Sequence, residues 1–113
     1  MKKLFSLEKL SEYVGDNKDD IKEMINVFID TTEPEVSKLK ELAEKLEWEN
    51  VYKIAHKIKP SFKVFEMSEM IEIIDSIEVL ASQNNKDANL DSKLNEFSKK
   101  FNEIISLLHN EIQ

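Results

Sequence analysis

The stretch from Asn50 to Phe65 reads Asn-Val-Tyr-Lys-Ile-Ala-His-Lys-Ile-Lys-Pro-Ser-Phe-Lys-Val-Phe, and its residue types and spacing suit chemistry. On a helix turning ~100° per residue, Val51, Ile54, Ala55, Ile58, Phe62 and Phe65 fall within roughly 40° of one direction, which marks the buried face. His56 points roughly 140° away from it and so faces solvent. Lys59 and Lys63 follow it on the same side of the helix. Tyr52 lies one turn before His56 and Pro60 one turn after. The window holds four lysines (Lys53, Lys57, Lys59, Lys63) and no acid, where the chain average would put about three acids. A local positive face on an acidic protein suits a phosphoryl group or an acidic partner surface. An imidazole nitrogen is a good nucleophile near neutral pH and can hold a group covalently. A lysine one turn away offers a cation to a phosphoryl oxygen. No second acid, base or metal set lies near it in sequence, which suits a phosphoryl carrier that takes its catalysis from another protein.

Each residue also has a plainer reading. His56 can be an ordinary surface histidine, and Lys59 and Lys63 ordinary solvated lysines. Lys57 points sideways and reads as surface charge, while Ser61 reads as structural. Val64 falls on the outer side, roughly 140° from the buried direction, where it joins Tyr52 in a candidate docking patch. His109 lies near the end of the last helix with no lysine one turn away. A charged imidazole there gains from the helix dipole, so a structural role fits it better. A two-histidine metal site would require the fold to unite His56 and His109, and no Asp/Glu arrangement supports one.

The segment Ala55-His56-Lys57-Ile58-Lys59-Pro60-Ser61 resembles the signature of histidine-containing phosphotransfer (HPt) domains. In that family an Ala-His pair is followed by an apolar residue two positions later, then Lys, a small residue and Ser. The resemblance extends to length, helix order and the place of the histidine-bearing helix. It implies that His56 takes a phosphoryl group from a receiver-domain phospho-aspartate and passes it to another receiver. It implies that Lys59 stabilises the phosphoryl charge, and that the partners are a response-regulator receiver domain and a hybrid histidine kinase. It also implies that the chain needs no cofactor of its own, the divalent metal being expected on the receiver. Tyr52, Pro60, Lys63 and Val64 are the candidate partner-docking residues. Two positions depart from the pattern. Pro60 replaces the usual Gly; it cannot donate to the His56 carbonyl, and its ring crowds that carbonyl, so a local bend is expected. Glu66 replaces a Gly after the helix, which leaves the helix end without its usual cap. These departures motivate an alternative, a non-catalytic helical adaptor that docks receivers without phosphotransfer. A kinase dimerisation domain fits less well, because those domains place an acid after the histidine and here stands Lys57.

The elements that must position this site are legible in composition. The 113 residues suit one small domain, and 41% hydrophobic residues suffice for one core. One Gly and two Pro leave too few turn residues for an all-β fold and no glycine-rich phosphate loop. Without Cys there are no disulfides and no thiolate sites. The net charge is −7 and all 16 basic residues are Lys, a poor basis for nucleic-acid binding or for clamping nucleotide phosphates. No apolar run approaches a membrane span, and Glu8 and Lys9 interrupt a signal-like start, so a cytoplasmic protein is expected.

The residues favour helix throughout. A short helix spans Leu4 to Tyr13, Gly15 ends it, and Asp16 caps the next. From Asp16 to Trp48 the pattern gives one long helix bent near Thr32, or two in line, because Thr32 and Glu35 match a capping box with Pro34 in the first turn. Val36, Leu39, Leu42, Ala43 and Leu46 continue the apolar stripe. Further helices span about Glu49–Phe65, Ser68–Gln83 and Leu90–Glu111, with a polar connector from Asn84 to Asn89. Short connectors predict an all-α, antiparallel up-and-down four-helix bundle with a short extra N-terminal helix, and a single domain acting as a monomer is expected.

Overall fold

A computed structural model of the chain describes residues 4–83 and 88–112, and among these every regular element is a helix. The helices are α1 (Glu8–Val14), α2 (Lys18–Glu44), α3 (Trp48–Val64), α4 (Ser68–Ser82) and α5 (Ala88–Glu111). The polar connector expected before α5 falls at residues 84–87 outside the described residues.

α1 begins four residues later than its apolar pattern suggests. Leu4, Phe5 and Leu7 instead lie partly buried against the core, and the Ser6 N–H donates to the Phe65 carbonyl at 2.9 Å. Gly15 follows α1 at φ 83°, a left-handed value that glycine adopts without steric cost. The cap of α2 is Asn17 rather than Asp16: its Oδ1 accepts from the Asp19 and Asp20 N–H groups at 2.8 and 3.3 Å.

α2 runs unbroken through the start signal read at Thr32–Glu35. Thr32 is buried and caps nothing. Pro34 removes one internal hydrogen bond, yet Phe28 and Ile29 before it and Val36 and Leu39 after it are all buried. Packing both halves on one core outweighs the ~3 kcal/mol that an interior proline costs a helix.

α2 and α3 close in the same way. After α2, Leu46 adopts φ 61°, its N–H donates to the Ala43 carbonyl, and the Glu47 N–H donates to Leu42. After α3, Glu66 adopts φ 52°, its N–H donates to Lys63, and the buried Met67 N–H donates to Phe62. Both are Schellman closures. Leu46 is therefore turned out to solvent rather than into the apolar stripe, and Trp48 opens α3, buried, rather than ending α2. The end of α3 also has a proper closure without glycine, against the expectation drawn from Glu66.

α3 packs against α2 and α4, α5 against α4 and α2, and α1 against α2. One continuous hydrophobic cluster lies between them. At its centre Phe62 meets Phe28 edge-on at 5.4 Å between ring centroids, Phe97 at 5.7 Å and Phe101 at 6.1 Å. Edge-to-face geometry sets the positive edge of one ring against the negative face of the next.

Candidate functional site

The core fixes which way α3 faces. Val51, Ala55, Ile58, Phe62 and Phe65 are buried as read from the sequence, and Ile54 is half-buried. His56 is therefore thrown outward, with 66% of its side chain exposed. Tyr52, one turn earlier, lies parallel to the imidazole, ring centroids 6.0 Å apart and planes 5° from parallel. The two rings form a stacked, solvent-facing pair, which suits a flat partner group.

The surroundings of Lys59 differ from those expected. Its side chain is only 17% exposed, and its Nζ donates to Asp75 Oδ1 at 2.7 Å and Glu78 Oε2 at 3.1 Å. The other oxygen of the same Glu78 carboxylate lies 3.3 Å from His56 Nδ1. Glu78 thus bridges the imidazole and the ammonium, and its own side chain is 13% exposed. The hydrogen bond that Lys59 donates to Asp75, then the one it donates to Glu78, raises the Lys59 pKa above its ordinary value.

The positive face is likewise cancelled by neighbours. Lys57 reaches Glu35 of α2 at 3.1 Å, and Lys53 pairs with Glu49 at 3.4 Å. Lys63 is exposed and makes no ion pair among the described residues. The α3 window is acid-free, but α2 and α4 bring carboxylates to it from 16 to 22 positions away. A charge count along one helix does not see them.

Pro60 is exposed inside α3, so the His56 carbonyl lacks the N–H donor that a fourth-following residue normally supplies. Val64 is not on an outer patch: it is partly buried against the core, and it ends α3 about 18 Å along the axis from Tyr52 at 1.5 Å per residue. The apolar surface beside His56 belongs instead to Tyr52, 38% exposed and stacked on the imidazole. An open groove lined by Glu49, Tyr52, Ala81 and Ser82 runs between α3 and α4.

Asp75 and Glu78 are the site residues that sequence reasoning missed. Their signal was present: the buried Ile74, Ile77 and Ala81 define the inner face of α4 and leave Asp75 and Glu78, one turn apart, on its flank. His109 is exposed in the last turn of α5, and its ring has no partner among the described residues. No group of three or more His, Asp or Glu residues among the described residues is placed to hold a metal ion, and no described helix is long and apolar enough to cross a membrane.

The arrangement offers an accessible imidazole with one nitrogen engaged and the other free, on a rigid helix, beside a held ammonium. Such a site can accept a covalent group from a large partner. The chain matches no protein-family model, no curated protein and no solved structure, so the meaning of the site rests on its own residues.

Proposed function

We propose that the chain is a phosphorelay carrier of the histidine-containing phosphotransfer type, with His56 as phosphoacceptor between receiver-domain aspartates. The observation that carries this reading is the exposed His56 ring: Nδ1 is turned to Glu78, which leaves Nε2 toward solvent. The scaffold fits an antiparallel up-and-down four-helix bundle with a short N-terminal helix. As α3 advances from His56 to Lys59, its partners on α4 step back from Glu78 to Asp75. Lys59 stabilises phosphoryl charge once the incoming group competes with its carboxylates. Tyr52, Pro60 and Lys63 present the surface beside the ring to a receiver, which supplies the aspartate and the divalent metal. The carrier has no ATP-dependent kinase activity and acts as a cytoplasmic monomer.

The test is transfer from a phosphorylated receiver, followed as acid-labile, base-stable label. His56→Gln should abolish the label and change stability by less than about 0.5 kcal/mol, since the ring is solvated. Label persisting in His56→Gln, or none on the wild type across a panel of receivers, overturns the reading. A second reading, a receiver-docking adaptor without phosphotransfer, draws on one observation: Lys59 is already neutralised by two carboxylates. It requires receiver binding that survives His56→Ala, with no label on any residue.

A further inference from the structure

The plane of an imidazole decides where its nitrogen can react, because the lone pair lies in that plane. The histidine χ2 is a torsion with broad wells, so a rotamer alone does not fix the plane of an exposed ring. His56 has 66% of its side chain exposed. Its polar contact among the described residues is Glu78, 3.3 Å from Nδ1 and itself held by Lys59. One such contact, at the long end of hydrogen-bond distances, restrains an edge of the ring and leaves the plane free to rock about it. The other contact is aromatic. A helical side chain leans toward the turn before it, which carries His56 over Tyr52. The two rings lie 5° from parallel with centroids 6.0 Å apart, an offset stack. Tyr52 is outside the core, and the α4 residues Ala81 and Ser82, which border an open groove with it, are small. The ring that Tyr52 stacks on is the imidazole.

We propose that Tyr52 is a positioning residue: its ring sets the plane of the His56 imidazole, and so the line on which a docked receiver must present phosphorus to Nε2. The inference deepens the carrier reading and rests on it for its biological meaning, though its first consequence concerns the free protein. In the transfer, the Nε2 lone pair forms the bond to phosphorus as the P–O bond to the receiver aspartate breaks. That carboxylate leaves with the electron pair, and no proton moves. The receiver is a large body whose docked orientation is set by its whole interface, so it cannot turn to follow a rocking ring. An imidazole already in plane meets phosphorus in line, whereas a free one must lose its rocking motion in each transfer. A small donor that diffuses freely approaches from any direction and meets no such penalty. Tyr52 therefore governs transfer from a docked protein and leaves the intrinsic reactivity of the imidazole alone. The phenol hydroxyl has no part in this, since a flat ring is all that the stack requires.

The experiment compares the wild type with Tyr52→Phe, which keeps the flat ring, and Tyr52→Leu, which keeps apolar bulk without a plane. Carbon relaxation of the imidazole C–H groups in the free protein reads the motion of the His56 ring, with the exposed His109 as internal standard. His56 should be well ordered in the wild type and in Tyr52→Phe, and should approach the mobility of His109 in Tyr52→Leu. Phosphoramidate then loads His56 without a receiver, ammonia leaving with the electron pair as the donor's P–N bond breaks. The loading rate should be the same in all three proteins. Finally, transfer from a phosphorylated receiver is followed against receiver concentration. The maximal rate should fall about fivefold in Tyr52→Leu, equivalent to about 1 kcal/mol at 1.4 kcal/mol per tenfold, and keep its wild-type value in Tyr52→Phe. Ring motion that is unchanged in Tyr52→Leu overturns the proposal. So does an unchanged maximal rate with a raised half-saturating concentration, which would make Tyr52 a docking contact alone. A Tyr52→Phe protein as slow as Tyr52→Leu, or phosphoramidate loading that falls in step with transfer, overturns it as well. If no receiver labels a protein whose ring motion and phosphoramidate loading are as expected, the carrier reading fails and the positioning of the ring by Tyr52 stands.

Discussion

Replacing Lys59 with Met tests the seam between α3 and α4 that holds the site. The substitution keeps most of the covered stem and removes the ammonium from two carboxylates at 2.7 and 3.1 Å. At water's dielectric, 332/(εr) gives about 1.5 and 1.3 kcal/mol for these two contacts, about 3 kcal/mol together. Holding a lysine side chain in one rotamer costs about 2 kcal/mol, which leaves about 1 kcal/mol. The largely covered Glu78 then stands beside Asp75 without its cation, which raises the expected loss to about 1–2 kcal/mol. That corresponds to a fall in Tm of about 4–10 °C for a chain of this size. The assay is thermal and urea denaturation of both proteins at low and at molar salt, with the difference shrinking in salt. The pH arm has a definite sign. The Lys59 pKa is raised in the folded protein above the ordinary 10.5, chiefly by the hydrogen bond to Asp75. Its stabilisation is therefore fully present below pH 10.5 and is lost as pH rises through the higher folded value. The gap between wild type and Lys59→Met should hold from neutral pH to about that point and close above it. No loss at low salt, or a gap that closes between pH 7 and 9, refutes the reasoning.

Four further substitutions probe the scaffold. Phe62→Ala removes the ring at the centre of the core and should cost about 3–5 kcal/mol in urea denaturation; a loss under about 2 kcal/mol would mean that the site collapses to fill the space. Glu66→Gly and Leu46→Gly relieve left-handed backbone at two helix ends, and each should stabilise by about 0.5–1 kcal/mol after allowing for glycine's freer unfolded chain. A loss at either position would contradict the φ values. Pro60→Ala restores a donor for the His56 carbonyl and should stabilise by about 1–3 kcal/mol, with slower amide exchange in the last turns of α3. Faster exchange there would show that the proline stiffens the helix more than it breaks it.

Much of the scaffold was legible because burial repeats with the helical period. The face of α3 followed from Val51, Ala55, Ile58 and Phe62 alone, and it sent His56 outward as observed. Local signals misled where tertiary contacts overrode them. Thr32, Pro34 and Glu35 spell a helix start, yet buried residues on both sides carry α2 straight through. Leu46 continues an apolar stripe by spacing, yet its left-handed backbone turns it out. Val64 sits on the outer side by angle, yet at the end of α3 it is half-covered by the core.

The sequence by itself determined an all-helical chain and an imidazole standing clear of its own helix, because both depend on periodicity within one segment. Only the tertiary structure decided the charge around that imidazole. Glu35, Asp75 and Glu78 lie 16 to 22 positions from the lysines and the histidine they meet, and nothing but the packing of α2 and α4 against α3 brings them within hydrogen-bonding distance. Electrostatic interaction falls off with separation in space rather than along the chain, so a cationic window in sequence becomes a paired, nearly neutral seam in the fold.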